Sequence, residues 1–169
     1  MSTSSSGKDD SNFSYDSLDL WILMSRVDSL IRRSCELELA PLGLTTEQAS
    51  ILDNLSRVNG SASIADIANA TVRQYNSVTT LVNRMIKTGL ISKERTPNNG
   101  RYMIHMTDKG KKLHSKITTN AIEMAFYDLP IGEKQKLFEI LKMLLEKSRK
   151  NLGMDFRPPF LEPVSSSQE

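Results

Sequence analysis

The chain is 169 residues long, 38% apolar and 25% charged, with a formal net charge of +2. That is one domain's worth of residues, enough to bury roughly two thirds of the unfolded surface. The longest apolar runs, such as Leu20-Trp21-Ile22-Leu23-Met24, fall far short of the roughly 20 residues a membrane-spanning helix needs.

A single cysteine, Cys35, excludes an intrachain disulfide and suits a reducing compartment. The opening MSTSSSGKDDSNFS has neither a basic nor an apolar signal region, so a cytoplasmic location is expected. The charge is unevenly spread. Residues 1–54 hold four Lys/Arg against nine Asp/Glu, residues 55–116 eleven against three, and residues 117–169 seven against eight. The middle third is therefore net +8, the electrostatic footprint of a nucleic-acid-binding module.

In chain order, residues 1–14 are Ser-rich and polar, and a disordered tail is expected there. Leu20, Leu23, Val27 and Leu30 recur at helical spacing and predict a long helix over 17–39, ended by Pro41 and Gly43. Thr45 with Gln48 three residues later is a capping-box signature. It starts a second helix that carries Ile51, Leu52 and Leu55 and stops before Asn59-Gly60. Ser63 caps a short third helix with Ile64, Ile67 and Ala68 facing inward. A fourth begins after Thr71, turns Val78, Leu81, Val82 and Met85 to one side, and ends at Gly89.

Segments 90–93 and 102–105 have strand character around the turn formers Pro97-Asn98-Asn99-Gly100, which predicts a hairpin. Two strands alone are marginal, so Ser61-Ala62-Ser63 is expected as a third. Two long helices follow, over about 108–129 and 132–152, parted by Pro130, and a loose tail is expected over 154–169. The fold class expected is mainly α with a small β-hairpin (α+β).

Two short helices joined tightly, the second polar at its start, match a helix-turn-helix. Arg73, Gln74, Tyr75, Asn76, Ser77, Thr80 and Arg84 lie outside the apolar stripe of the second one. Gln74 and Asn76 can pair bidentately with adenine, Thr80 can meet a thymine methyl, and Arg73 or Arg84 can reach guanine or phosphate. Lys93 and Arg95 flank the hairpin within reach of phosphates, whereas Lys109, Lys111, Lys112 and Lys116 read as a solvated face. Any surface helix has polar residues opposite an apolar stripe. The charge distribution and the hairpin tip the balance to DNA.

With those features assembled, residues 44–110 resemble the winged helix-turn-helix of the MarR (multiple antibiotic resistance regulator) family. The stretches that carry the resemblance are GLTTEQASIL, VTTLVNRMIKTGLISKERTP and MTDKG. It implies a winged helix-turn-helix over 44–107 between dimerisation helices at 15–40 and 108–153, in one domain spanning 15–153. It further implies a homodimer on a pseudo-palindromic double-stranded DNA operator, usually a repressor, often released by a small ligand or an oxidant. The family's wing usually carries Asp-x-Arg. Here Asn98 or Asn99 stands in place of the aspartate and Arg101 is the arginine at the tip, expected to enter the minor groove with Asn99 beside it. An asparagine gives no charge-assisted bond, so Arg101 is expected to be less preorganised.

The apolar rows of the terminal helices, Leu20, Leu23 and Val27 at one end and Leu137, Leu141, Leu144 and Leu152 at the other, can supply the dimer interface. Trp21, Met24, Met124, Phe126 and Tyr127 are candidates to line an effector cavity. Cys35 is a candidate redox sensor, though Glu36 and Glu38 oppose Arg32 and Arg33 around it. His105 and His114 lack metal-ligand spacing, and neither a metal nor a cofactor is expected. There is no Gly-rich phosphate loop and no Ser/His/Asp set, so an enzyme is not expected. The alternative is a winged-helix protein-interaction or architectural DNA-binding module without an effector.

Overall fold

The structure is a computed structural model that describes residues 16–96 and 100–154. The tails expected over 1–14 and, Met154 apart, over 154–169 lie outside the described residues, as do Asn98 and Asn99. Helix α1 (Ser17–Leu39) opens where the Asp16 carboxylate accepts from the Asp19 amide at 2.8 Å, a cap that satisfies one orphan donor of the first turn. A short 3-10 turn (Ala40–Leu42) ends at Gly43 with φ +66°, which reverses the chain. Helix α2 (Thr46–Arg57) carries the full reciprocal capping box of Thr45 and Gln48.

Strand β1 (Ser61–Ser63) runs directly into α3 (Ile64–Ala70), capped by Ser63 and Asp66 in a second capping box. Helix α4 (Tyr75–Lys87) follows, then the hairpin β2 (Ile91–Arg95) and β3 (Tyr102–Met106). The sheet order is β1-β3-β2, all antiparallel, with Ala62 and Lys93 both opposite Ile104. The expected third strand is therefore present, and it places β3 in the middle with Ile104 fully buried.

The core gathers in this lobe. Ile51, Leu52 and Leu55 of α2, Ile67 of α3, and Val78, Val82 and Met85 of α4 meet Ile91 and Ile104 of the sheet, with Leu39 anchoring the end of α1. Helix α5 (Asp108–His114) is held to the lobe by its cap. Thr107 Oγ1 donates to the carbonyls of Gly89 and Leu90 and accepts from the Gly110 amide at 3.1 Å. The approach is so close that a Cβ on Gly110 would lie 2.1 Å from the Leu90 carbonyl oxygen.

Two expectations need correction here. The helix predicted over 108–129 is broken into α5 and α6 (Asn120–Phe126), with a turn through Ile117, whose amide donates to His114 O at 2.9 Å. Ile117 leaves the helix line because it packs against the core. The helix predicted from just after Thr71 starts only at Tyr75, because Val72 takes the left-handed conformation, φ +52°. There the Arg73 amide donates back to Ala68 O at 2.9 Å, closing the tight turn between the two helices. Helix α7 (Ile131–Asn151) completes the described chain.

Candidate nucleic-acid interface

Helix α4 presents two faces. Val78, Val82 and Met85 are sealed into the lobe, while Tyr75, Asn76, Ser77, Thr80, Asn83, Arg84 and Lys87 are exposed. Its first turn has no side-chain cap: Gln74 occupies the N-cap position with φ −67° and ψ 139° but makes no capping bond. The opening amides therefore point outward as donors at the positive end of the helix dipole, an arrangement suited to a phosphate. Thr80 Oγ1 donates to Asn76 O at 3.0 Å, which fixes the rotamer and leaves its methyl and lone pairs to a partner. Arg73 and Gln74 precede the helix rather than lie on it. Arg73 is drawn toward α2 by Glu47, 3.3 Å away. Glu47's carboxyl is held below its usual range chiefly by its own backbone amide, with Thr45 and Arg73 adding to it.

At the hairpin, both flanking cations are placed across the strands. Lys93 Nζ sits 4.2 Å above the Tyr102 ring, a cation–π contact worth about 0.5–1 kcal/mol when exposed. Arg95 Nε donates to Gly100 O at 3.2 Å. The Thr96 amide and hydroxyl both donate to Arg101 O, at 2.8 and 2.6 Å, and Gly100 N donates to Thr96 O at 3.1 Å. Gly100, with φ +66°, allows that turn. The backbone carrying Arg101 is thus fixed by Thr96 and Arg95, and Arg101 is exposed beside it. Asn99 lies outside the described residues. Thr96, Tyr102 and Glu47 had no sequence signal of their own, because each acts through a partner on another element or across the hairpin.

Behind this surface a cavity of about 520 Å³ opens between α1, α2 and the α5–α6 turn. Its floor is apolar, with Ile31, Leu39, Ala49, Ile117 and Ile122, and its rim carries Asp28, Arg32, Glu38, Asp53, Arg57 and His114. None of the five aromatic and methionine candidates lines it. Trp21, Met24, Met124 and Tyr127 face outward instead, because their helices have no neighbour on that side within one chain. Met124 borders a second, shallower groove between α1 and α6. Cys35 does line the cavity. Burial first and Glu38 second push its thiol up. His114 lies 3.9 Å from Asp53 and His105 4.0 Å from Glu94. Among the described residues no cluster of three or more His, Cys, Asp or Glu could hold a metal.

The expected dimer rows stand open on α1 and α7. Leu20, Leu23 and Val27 are exposed, as are Leu141, Leu144 and Leu152, and Leu137 is half-buried. Among the described residues no helix is long and apolar enough to cross a membrane.

A helix-turn-helix followed by a hairpin that joins the preceding strand β1 in a three-stranded sheet defines a winged helix-turn-helix protein. Residues 42–101 match the family model described as the MarR family. Among solved structures, it is similar to the organohalide sensing RdhR-CbdbA1625 transcriptional regulator in its ligand free form. The identity there is 25% and the TM-score 0.72, over 83% of this chain and 86% of that one. AbsC, a MarR family transcriptional regulator from Streptomyces coelicolor, is 23% identical with a TM-score of 0.74, over 81% of this chain and 98% of that one. A mutant MarR from E. coli complexed with operator DNA is 18% identical with a TM-score of 0.68, over 78% and 99% respectively. Among curated proteins none matches this chain by sequence.

Proposed function

We propose that this protein is a homodimeric, sequence-specific DNA-binding transcription regulator, acting as a repressor at a pseudo-palindromic operator in the cytoplasm. The observation that carries the reading is the open, uncapped start of α4 with Asn76, Ser77, Thr80 and Arg84 exposed behind it, next to a wing that displays Lys93, Arg95 and Arg101. In this reading α4 enters the major groove and Arg101 the minor groove. Lys93, Arg95 and Arg73, each already oriented by a partner, contact phosphates. One such helix spans only a few base pairs, so two must be held about 34–36 Å apart. The exposed rows of α1 and α7 supply the pairing surface. The cavity between α1, α2 and α5 is where a small, largely apolar effector would bind and release the DNA. The solved relative whose name describes organohalide sensing supports an effector in this family.

The test is selection of bound sites from random DNA, followed by titration against salt. The expected result is a two-fold symmetric site and a steep salt dependence. Arg101→Ala should then weaken the selected site by about tenfold, within the 1–3 kcal/mol of a lost specific contact. No enriched sequence, or a monomer in equilibrium sedimentation at micromolar concentration, would remove this reading and leave a protein-interaction or architectural module.

A further inference from the structure

Helix α6 begins without a cap of its own: Thr119 precedes it with φ −113° and ψ 18° and its side chain makes no capping bond. The acceptor comes from α1 instead. Glu38 accepts from the Ala121 amide at 3.0 Å, across 83 residues of chain, and from the Thr118 hydroxyl. Within α1 that carboxylate is badly placed. It lies in the last turn, where no basic residue stands and where the helix dipole repels an anion. The nearby cations are engaged elsewhere, Arg32 with Asp28 and Arg33 with Glu36. Its stabilisation therefore comes from the far element, and those bonds hold its carboxyl below the usual range.

The place of this contact gives it leverage. On one side of it, Leu39 anchors α1 in the lobe's core and Gly110 seats α5 against the Leu90 backbone. On the other side α6 leads to α7. The turn through residues 115–119 is the connection between them.

We infer that Glu38 is a positioning residue that latches α1 to the start of α6 and thereby sets the angle between the DNA-binding lobe and the dimerisation helices. This rests on the proposed function, since the angle matters because it sets the separation of two recognition helices. Glu38 also borders both the cavity and the shallow groove, so an occupant that drew the carboxylate away would loosen the same connection.

The test uses the full chain with Glu38→Ala and Glu38→Gln. Amide hydrogen exchange at 119–123, sedimentation, and binding to the selected operator and to operators one base pair longer or shorter between half-sites are measured together. Glu38→Ala should remain dimeric, speed exchange at Ala121 at least about tenfold, and weaken the selected operator roughly tenfold. Such a loss is ordinary for a hydrogen bond to a charged group. The altered spacings should lose less than about threefold, because the loosened connection accepts them. Glu38→Gln keeps one oxygen for the Ala121 amide and should fall between wild type and alanine. Unchanged exchange at Ala121, or an equal loss on every spacing, overturns the latch. A wild-type protein that selects no DNA overturns the regulator reading, and the exchange measurement still judges the contact.

Discussion

In the lobe built from α2 to β3, Ile51, Leu52, Leu55, Met85 and Ile104 are sealed from water, whereas on α1 and α7 Trp21, Leu23, Leu30, Phe138 and Leu141 face outward. Both regions carry apolar residues at helical spacing in the sequence. They differ in whether one chain holds the surface that completes the burial. The lobe closes on itself because α2, α3, α4 and the sheet surround one centre. Of the flanking helices, α1 packs on α2 and α6 while, among the described residues, α7 makes no extended packing with any other element, and in our reading a second copy of the chain finishes both.

The sharpest way to break the lobe is Gly110→Ala. The added carbon meets the Leu90 backbone carbonyl, which cannot move without shifting β2. We expect a cost of about 3 kcal/mol, at the upper end of overpacking, and a melting temperature lower by roughly 6–12 °C for a chain of this size. Thermal unfolding by circular dichroism checks this, and an unchanged midpoint would mean that α5 does not seat there.

On the flanking helices the signature is different. Leu23→Ser combined with Leu141→Ser should cost about 1.5 kcal/mol per side chain removed from a buried interface. It should also abolish the rise of melting temperature with protein concentration expected of an obligate dimer. The same loss at every concentration would place those leucines in a monomer's core instead.

Acid probes both regions, because two carboxyls are held below the usual 4.5: Glu38, bonded from α1 to the start of α6, and Glu47, bonded within the lobe. A depressed folded pKa contributes stability that is fully present above 4.5 and is lost as pH falls through the folded value. Unfolding midpoints should therefore fall below about pH 4.5, and Glu38→Gln should flatten part of that fall. The smallest effect belongs to Val72→Gly. A left-handed β-branched residue costs roughly 1–2 kcal/mol and glycine gives back part of the relief as entropy. A gain of about 0.5 kcal/mol in urea unfolding is expected.

Much of the lobe was legible because its signals are local. The Thr45–Gln48 and Ser63 caps, the stripe of α4, Gly89 and Gly100 each act within about four residues of themselves. The exposed side chains of α4 followed from the same stripe. The start of α4 was misplaced because Val72 carries no turn signature; its left-handed bend is imposed by packing α3 against α4. Trp21, Met24, Phe126 and Tyr127 do not line the cavity beside Cys35, because apolar residues at helical spacing do not say which neighbour covers them.

The sequence by itself determined the order of elements from α1 to the hairpin, the Thr45 and Ser63 caps and the concentration of positive charge in the middle third, since periodicity, turn chemistry and charge need no partner. Only the tertiary structure decided that the helix over 108–129 breaks, that Arg73 leans on Glu47, that Thr96 and Arg95 shape the wing tip, and that a cavity opens beside Cys35. The physical reason is reach. A carboxylate at Glu38 and an uncapped amide at Ala121 are each unfavourable in their own segment, and the fold reconciles them by bringing the two ends together.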